Sequence, residues 1–429
     1  MAPRQAASRG GEPHHVGNYV IPALDKKIVK EEDISFLGDH HADKPLLQRL
    51  NYLHVFILFG VPALALYGLA TWTFNWYTVT FAVAYYWWSG LGITAGYHRM
   101  FAHKAFRVQR WFEWVLACMG AAAVEGSIKW WSRDHRAHHR YVDTGKDPYS
   151  SSKGFWHAHI GWMLCKQEPG RIGHADIQDL KDNPVVAFQH KYYGAFALVW
   201  GFLVPALVAG LWGDAYGGFF IAGCARLVFV HHSTFCVNSV AHYAGDQTYT
   251  DGHTARNSII TALLTIGEGY HNFHHEFPSD YRNGVEWWQY DPTKWFIRTL
   301  EVLGIAHRLQ RFSKDEILKG ELQMKHKHLQ EDMSKIFWGP DPAVLPEYTE
   351  ADVARLHKQN GNKWLIIDGF VIDATDFIEE HPGGAGYIKS HLGKDATEAF
   401  TGATYKHSNA AHNTARKLRV GRVVKTKSD

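Results

Sequence analysis

The chain has little cysteine, little net charge and no cleavable leader. Its four cysteines among 429 residues, Cys118, Cys165, Cys224 and Cys236, are scattered without a C-x-x-C pair. That argues against a disulfide framework and for a reducing, cytosol-facing setting. A formal net charge of +3 calls for no nucleic acid as partner. The N-terminus has no short apolar core ahead of a small-residue cleavage site, so the first apolar span is expected to do the targeting.

What the chain does have is aromatic residues, apolar runs and histidine. Aromatics are 14% of residues, with 17 tryptophans. A ring with a polar N–H suits a membrane interface, and Trp87-Trp88, Trp130-Trp131 and Trp287-Trp288 fit that setting about as well as they fit an aromatic core. Residues 1–46 are polar and read as an irregular arm in which His14-His15 and His40-His41 are solvated. Residues 53–74 and 77–94 form one apolar pair of spans, and 192–212 and 219–240 a second, each about 20 residues and so long enough to cross a hydrocarbon core. Residues 111–126 are too short to cross and contain Glu113 and Glu125, which predicts a buried or interfacial helix. Arg226, His231 and His232 lie within the fourth span, where polar side chains are costly unless they face protein. Approach to a site, packing and snorkelling all stay open for them.

Of 29 histidines, eight fall in three short stretches, HRMFAH (His98, His103), HRAHH (His135, His138, His139) and HNFHH (His271, His274, His275). A ninth, His242, follows Asn238 in NSVAH. Any one of them alone reads most simply as a surface or satisfied core residue. Together they read as a metal site built from several helix ends, since residues three and four apart share a helical face about 5–6 Å from one another. That spacing suits two adjacent ions. His98 and His103 are five apart, some 140° around an α-helix. They can share a site only if the helix ends or bends between them or if other helices meet both.

Crossings between the boxes come in even numbers, so all boxes emerge on one membrane face. Arg99, Lys104, Arg107, Arg110, Lys129, Arg133, Arg136, Arg140, Arg282 and Lys294 lie on that face, whereas the links at 75–76 and 213–218 hold no Lys or Arg. By the positive-inside rule the face is cytosolic. Beyond the spans the chain becomes polar, and WGPDPAVLPE, with three prolines, reads as a linker. The expected division is a polar N-terminal arm (1–46), a membrane domain (47–300), a helical connector with a proline-rich linker (301–346) and a small α+β domain (347–429).

In that last domain KWLIIDGFVIDATDF predicts two short strands around Asp368-Gly369, followed by HPGG with His381, KDATEAF, and His407 in YKHSN. Two neutral imidazoles flanking a crevice can ligate a haem iron from both sides, leaving an electron carrier with no open position. The domain resembles cytochrome b5 over nearly its whole length. His381 and His407 stand at the family's haem-ligand positions, and His391 and His412 are their near rivals.

GITAGYHRMFAH, RDHRAHHRYVDTGKDPY, NSVAH and GEGYHNFHHEFPSDYRNG resemble the membrane acyl-CoA desaturases of the delta-9, stearoyl-CoA type, whose fungal members carry a fused C-terminal cytochrome b5. The resemblance implies a mainly α fold, with a four-helix transmembrane body and a cytosolic helical cap carrying a His-box di-iron site. It implies two iron ions held by His98, His103, His135, His138, His139, His242, His271, His274 and His275, with Asn238 near one of them, and haem b in the small domain. It also implies that Arg133 and Asp134 hold the coenzyme A head of an acyl-CoA whose chain enters a bent tunnel, and that the protein sits in the endoplasmic reticulum membrane, multi-pass, with termini and active site in the cytosol. Where the family has a basic pair after its GWL-like stretch, this chain keeps Lys166 alone.

Imidazole does not select iron over zinc or copper. A tethered haem excludes zinc, which has no use for single electrons, so the metal must be redox-active and iron is the leading choice. An unactivated methylene C–H is beyond the reach of any side-chain base, so the expected reaction is oxygen-dependent. Haem and substrate each give two electrons, O2 is reduced to water, a cis double bond forms at the delta-9 position of stearoyl- or palmitoyl-CoA, and NADH–cytochrome b5 reductase recharges the haem. The alternatives are a fatty acyl hydroxylase with a similar histidine site and, from another class, a membrane-anchored electron carrier or metal transporter.

Overall fold

The computed structural model describes residues 14–16, 19–21, 45–167, 172–402 and 405–424. The chain is mainly helical and divides into two compact units, Met1–His326 and Lys327–Asp429. The arm expected at 1–46, with His40 and His41, lies almost wholly outside the described residues. Within it β1 (His14–Val16) pairs antiparallel with β2 (Tyr19–Ile21).

In the first unit α1 (Tyr52–Thr71) is apolar throughout. Asn75 then caps α2 (Trp76–Leu91), its side chain accepting from the Tyr77 N–H. α2 runs without a break into a π-helical segment, Gly92–Ala102. A two-residue ladder between β3 (Arg107–Val108) and β4 (Ala306–His307) follows. α3 (Arg110–Ala121) is the short apolar helix expected after the first box, ending five residues earlier than the 111–126 run. α4 (Ile128–Tyr141), capped by Ser127, carries the second box. α5 (Tyr193–Gly210) and α6 (Ala215–Tyr243) form the second apolar pair, joined at a turn where Asp214 accepts from the Gly217 N–H.

Among the described residues three helices, α1, α5 and α6, are long and apolar enough to cross a membrane. α2 is not among them, since its Trp and Tyr rings carry polar groups and Thr78, Thr80 and Ser89 add hydroxyls. The outward faces of α1 and α5, with Leu53, Leu66, Leu198 and Leu207, are exposed yet apolar, as contact with lipid requires. Further helices are α7 (Ile259–Leu264), α8 (His271–Glu276) with the last box and α9 (Pro292–Val302), while α10 (Lys314–Ser334) runs across the division between the two units. The largest core joins the α2–π segment, α3 and α9 through Tyr97, Phe106, Leu116 and Ile297.

In the second unit four strands lie in the order β5 (Glu347–Tyr348), β8 (Arg419–Val423), β7 (Phe370–Asp373), β6 (Trp364–Ile367). β6 and β7 form the expected hairpin, and Asp368 and Gly369 both take the positive φ (46° and 75°) that a two-residue turn of this hand demands. Alternate residues face opposite ways. Leu365 and Ile372 pack with Ile378 and Ala396, and Ile366 and Val371 with Val353.

Candidate metal centre, haem cleft and acyl cavity

The π-helical turn resolves the spacing of the first box. The His103 N–H bonds the His98 carbonyl at 3.1 Å, five residues back. A helix closed at i+5 brings residues five apart to the same side, and the His98 and His103 rings stand 4.9 Å apart.

The nine box histidines gather into two groups, within each of which one ring nitrogen from every histidine lies within 4.8 Å of the others. The first holds His98, His103, His135, His139 and His274, and the second His138, His242, His271 and His275. Helical geometry sorts them. In α4 the i,i+4 pair His135/His139 joins the first group and His138 the second, and in α8 the pair His271/His275 joins the second and His274 the first.

The Nε2 atoms face one another, at 2.9 Å for His98–His274, 2.8 Å for His103–His135, 3.0 Å for His139–His274, 3.3 Å for His138–His275 and 3.0 Å for His271–His275. Ligands bonded to one ion at about 2.1 Å, at right angles, stand about 3.0 Å apart. His242 adds a buried Nε2 with no hydrogen-bond partner, while its Nδ1 is engaged by Thr254 Oγ1 at 2.8 Å. Burial first, and then the neighbouring imidazoles, hold His103, His135, His139, His271, His274 and His275 well below the usual imidazole value. Neutral rings with free nitrogens facing inward fit metal ions.

Oxygen atoms behind the rings fix their orientation. Glu268 Oε2 sits 3.0 Å from His98 Nδ1, Asp147 Oδ1 2.9 Å from His138 Nδ1, and the Tyr149 hydroxyl 3.3 Å from His135 Nδ1. Burial raises the Glu268 carboxyl, but Arg99 and His98 overcome it and bring it down to about 2. Arg99, 1% exposed, donates to both Asp291 oxygens and to Glu268.

Beside the five-histidine group lies a cavity of about 590 Å³. His98, His135, Glu268 and Asn238 stand in its wall, which is otherwise largely apolar, with Ile57, Leu58, Ile93, Ala197 and Val230. A second cavity of about 620 Å³ shares His54, Trp130 and Trp162 with the first and is more polar than it, with Arg133, His174 and Lys181. Arg133 clasps Asp134 at 2.6 Å. Burial pushes the Asp134 carboxyl up to about 6 against the pull of Arg133, and Asp134 lines the first cavity rather than the second. Lys166 lines neither described cavity. Its ammonium donates to the Gln48 carbonyl at 3.3 Å, while its neighbours Cys165 and Gln167 face the second cavity.

In the second unit the His381 and His407 rings stack with centres 6.4 Å apart. Two metal–nitrogen bonds of about 2.0–2.1 Å plus the distance from each nitrogen to its ring centre add up to roughly 6.4 Å. The Nδ1 atoms are tied back, to the Gly384 carbonyl at 3.0 Å and the Phe400 carbonyl at 2.9 Å, leaving both Nε2 atoms for a haem iron. The rivals are engaged elsewhere: His391 Nδ1 bonds the Tyr387 carbonyl and His412 packs on Phe400.

The fatty acid desaturase family matches residues 70–302. The chain belongs to that family. This desaturase also matches the cytochrome b5-like haem/steroid binding domain family over residues 349–424. It is 50% identical over 374 residues to the probable acyl-CoA desaturase of Schizosaccharomyces pombe, covering 87% of this chain and 77% of that one. It is 43% identical over 426 residues to acyl-CoA desaturase 1 of Saccharomyces cerevisiae, covering 96% and 83%. It is 34% identical over 274 residues to stearoyl-CoA desaturase of Homo sapiens, covering 63% and 74%.

The residues that sequence reasoning missed in the desaturase unit are the oxygens behind the rings and, in the second cavity, His174 and Lys181. Glu268 lies three residues before His271, within a stretch already marked out, so its position carried a signal. Asp147 lies within the marked stretch RDHRAHHRYVDTGKDPY and carried a signal too, whereas Thr254, His174 and Lys181 carried none, because only the fold brings them to the site.

Proposed function

We propose that the protein is a membrane acyl-CoA desaturase that places a cis double bond at the delta-9 position of saturated fatty acyl-CoA, with electrons delivered through its own cytochrome b5 domain. The observation that carries this reading is the apolar cavity whose wall includes imidazoles of the five-histidine group. It has apolar walls suited to a hydrocarbon chain and shares wall residues with a second, more polar cavity, where Arg133 and Lys181 would meet a phosphate-bearing head. The relatives are named as desaturases, and no observation favours hydroxylation.

The nine histidines would hold two irons, five in one group and four in the other, with Asn238 near one of them. Bound iron would supply the oxygen-dependent redox chemistry: two hydrogens leave adjacent methylenes, two electrons arrive by way of the haem, two protons are taken up, and O2 leaves as two waters. The chain's own part is to exclude water along the acyl chain and to aim the imidazoles. His381 and His407 would hold haem b, recharged by NADH–cytochrome b5 reductase. We place α2 as a fourth crossing, which puts every box on the cytosolic face of the endoplasmic reticulum membrane, and we retain the division at 46, 300 and 346.

The test uses the full-length protein with two non-haem irons per haem, reduced haem, O2 and stearoyl-CoA. Oleoyl-CoA is expected. Unchanged substrate at full iron occupancy overturns the reading, and a product one oxygen heavier makes the protein a hydroxylase.

A further inference from the structure

We infer that His159 is the positioning residue for the second metal, acting through Ser239 on the break in α6 that aims His242; this rests on the two-metal reading above.

α6 is α-helical from Arg226 to Asn238, stops at Ser239 (φ −105°, ψ −74°) and restarts at Val240. A straight helix would fix the direction of His242 from that of Asn238, so the angle at Ser239 decides where the imidazole points. Ser239 is fully buried. Its hydroxyl donates to the Phe235 carbonyl at 2.9 Å and therefore accepts at 2.8 Å from His159 Nδ1. The opposite nitrogen of His159 accepts from His232 Nδ1 at 3.0 Å. The buried His159 ring stacks on Phe155 and meets Phe235 edge-on, which leaves it little room to turn.

The segment that carries His159 supports the four-histidine group at two other points. Asp147 holds His138, and Asp143 accepts from Thr254 at 2.7 Å, the same hydroxyl that engages His242 Nδ1. Residues 143–159 thus reach His138 directly, His242 through Thr254, and the helix break through Ser239. Their one contact with the five-histidine group is the Tyr149 hydroxyl. A site with four imidazoles loses a larger share of its affinity when one is mis-aimed than a site with five does. The His159–Ser239 bond should therefore control loading of the second metal and leave the first untouched.

The side chains available for substitution separate the two nitrogens. The amide nitrogen of asparagine falls where histidine has Nδ1, and that of glutamine where it has Nε2. Full-length protein in detergent is stripped with a chelator and reloaded with ferrous iron alone, and non-haem iron is counted per haem. Wild-type protein and His159→Asn should hold two irons; His159→Gln and Ser239→Ala should hold one. Two irons in both the Gln and the Ser239→Ala variants overturn the inference, as does a His159→Asn variant that loses iron in step with His159→Gln. Wild-type protein that takes up no more than one iron instead overturns the two-metal reading beneath it.

Discussion

Glu125 is a buried carboxyl in the wall of the cavity proposed for the acyl chain. It accepts from Thr234 Oγ1 at 2.8 Å and Trp131 Nε1 at 3.3 Å, and burial pushes its carboxyl up to about 8 against both hydrogen bonds. A raised folded-state value means that the native protein keeps a proton the unfolded chain releases between about 4.5 and 8. Stability is therefore lost as pH rises through that window, and the penalty is complete above it. The same ionisation sets a carboxylate against the acyl chain, so kcat/KM for a long-chain acyl-CoA should fall about tenfold per pH unit above 8. Glu125→Gln should abolish that alkaline limb while keeping activity at pH 7 within about threefold; an unchanged limb would assign it to another group. Glu268 is the opposite case, a carboxyl kept ionised by Arg99 and His98. Glu268→Gln removes the charge behind His98 and should weaken iron binding roughly 10–100-fold in a ferrous titration of stripped protein.

The π-helical extension of α2 is the element on which the five-histidine group depends, and it is seated by glycine. A Cβ on Gly92 would lie 2.3 Å from the Gly120 nitrogen and from the Met119 carbonyl carbon, both backbone atoms of α3, and a Cβ on Gly120 would meet the Tyr97 ring at 2.1 Å. Backbone cannot step aside as a side chain can, so helix and helix must separate. Gly92→Ala should cost about 1–3 kcal/mol by overpacking and lower the midpoint of thermal unfolding in detergent by roughly 1–5 °C. Gly194, at the start of α5, has nothing within 4 Å of its Cβ position. Gly194→Ala should leave the midpoint unchanged or raise it, and if both variants behave alike, the contact is not what holds the π segment.

Across the whole molecule, what could be read in advance was whatever repeats locally. The i,i+3 and i,i+4 histidines of α4 and α8 obey a helical rule that needs no tertiary contact, and the Asp368-Gly369 hairpin announces itself through its turn residues. The first box did not, because π-helical hydrogen bonding has no compositional mark and the i,i+5 pair looks divergent on an α-helix. Thr254 and Lys181 were illegible for another reason: they reach their sites from segments that only tertiary structure brings near. The organisation of the chain nonetheless fixes a consequence for electron supply. A haem domain on the same chain as the histidine centre is presented to it at an effective concentration of order millimolar, so a separate carrier in the micromolar range competes poorly. His407→Ala removes one of the two stacked imidazoles and opens an axial position. The reduced variant should therefore either bind carbon monoxide, which wild-type haem does not, or lose its haem. Non-haem iron should stay at two per chain, while NADH-driven turnover falls at least about 100-fold. Added cytochrome b5 should restore turnover only in proportion to its concentration and well short of wild type at about 10 μM. Full restoration at that level would mean that fusion gives the haem no kinetic advantage.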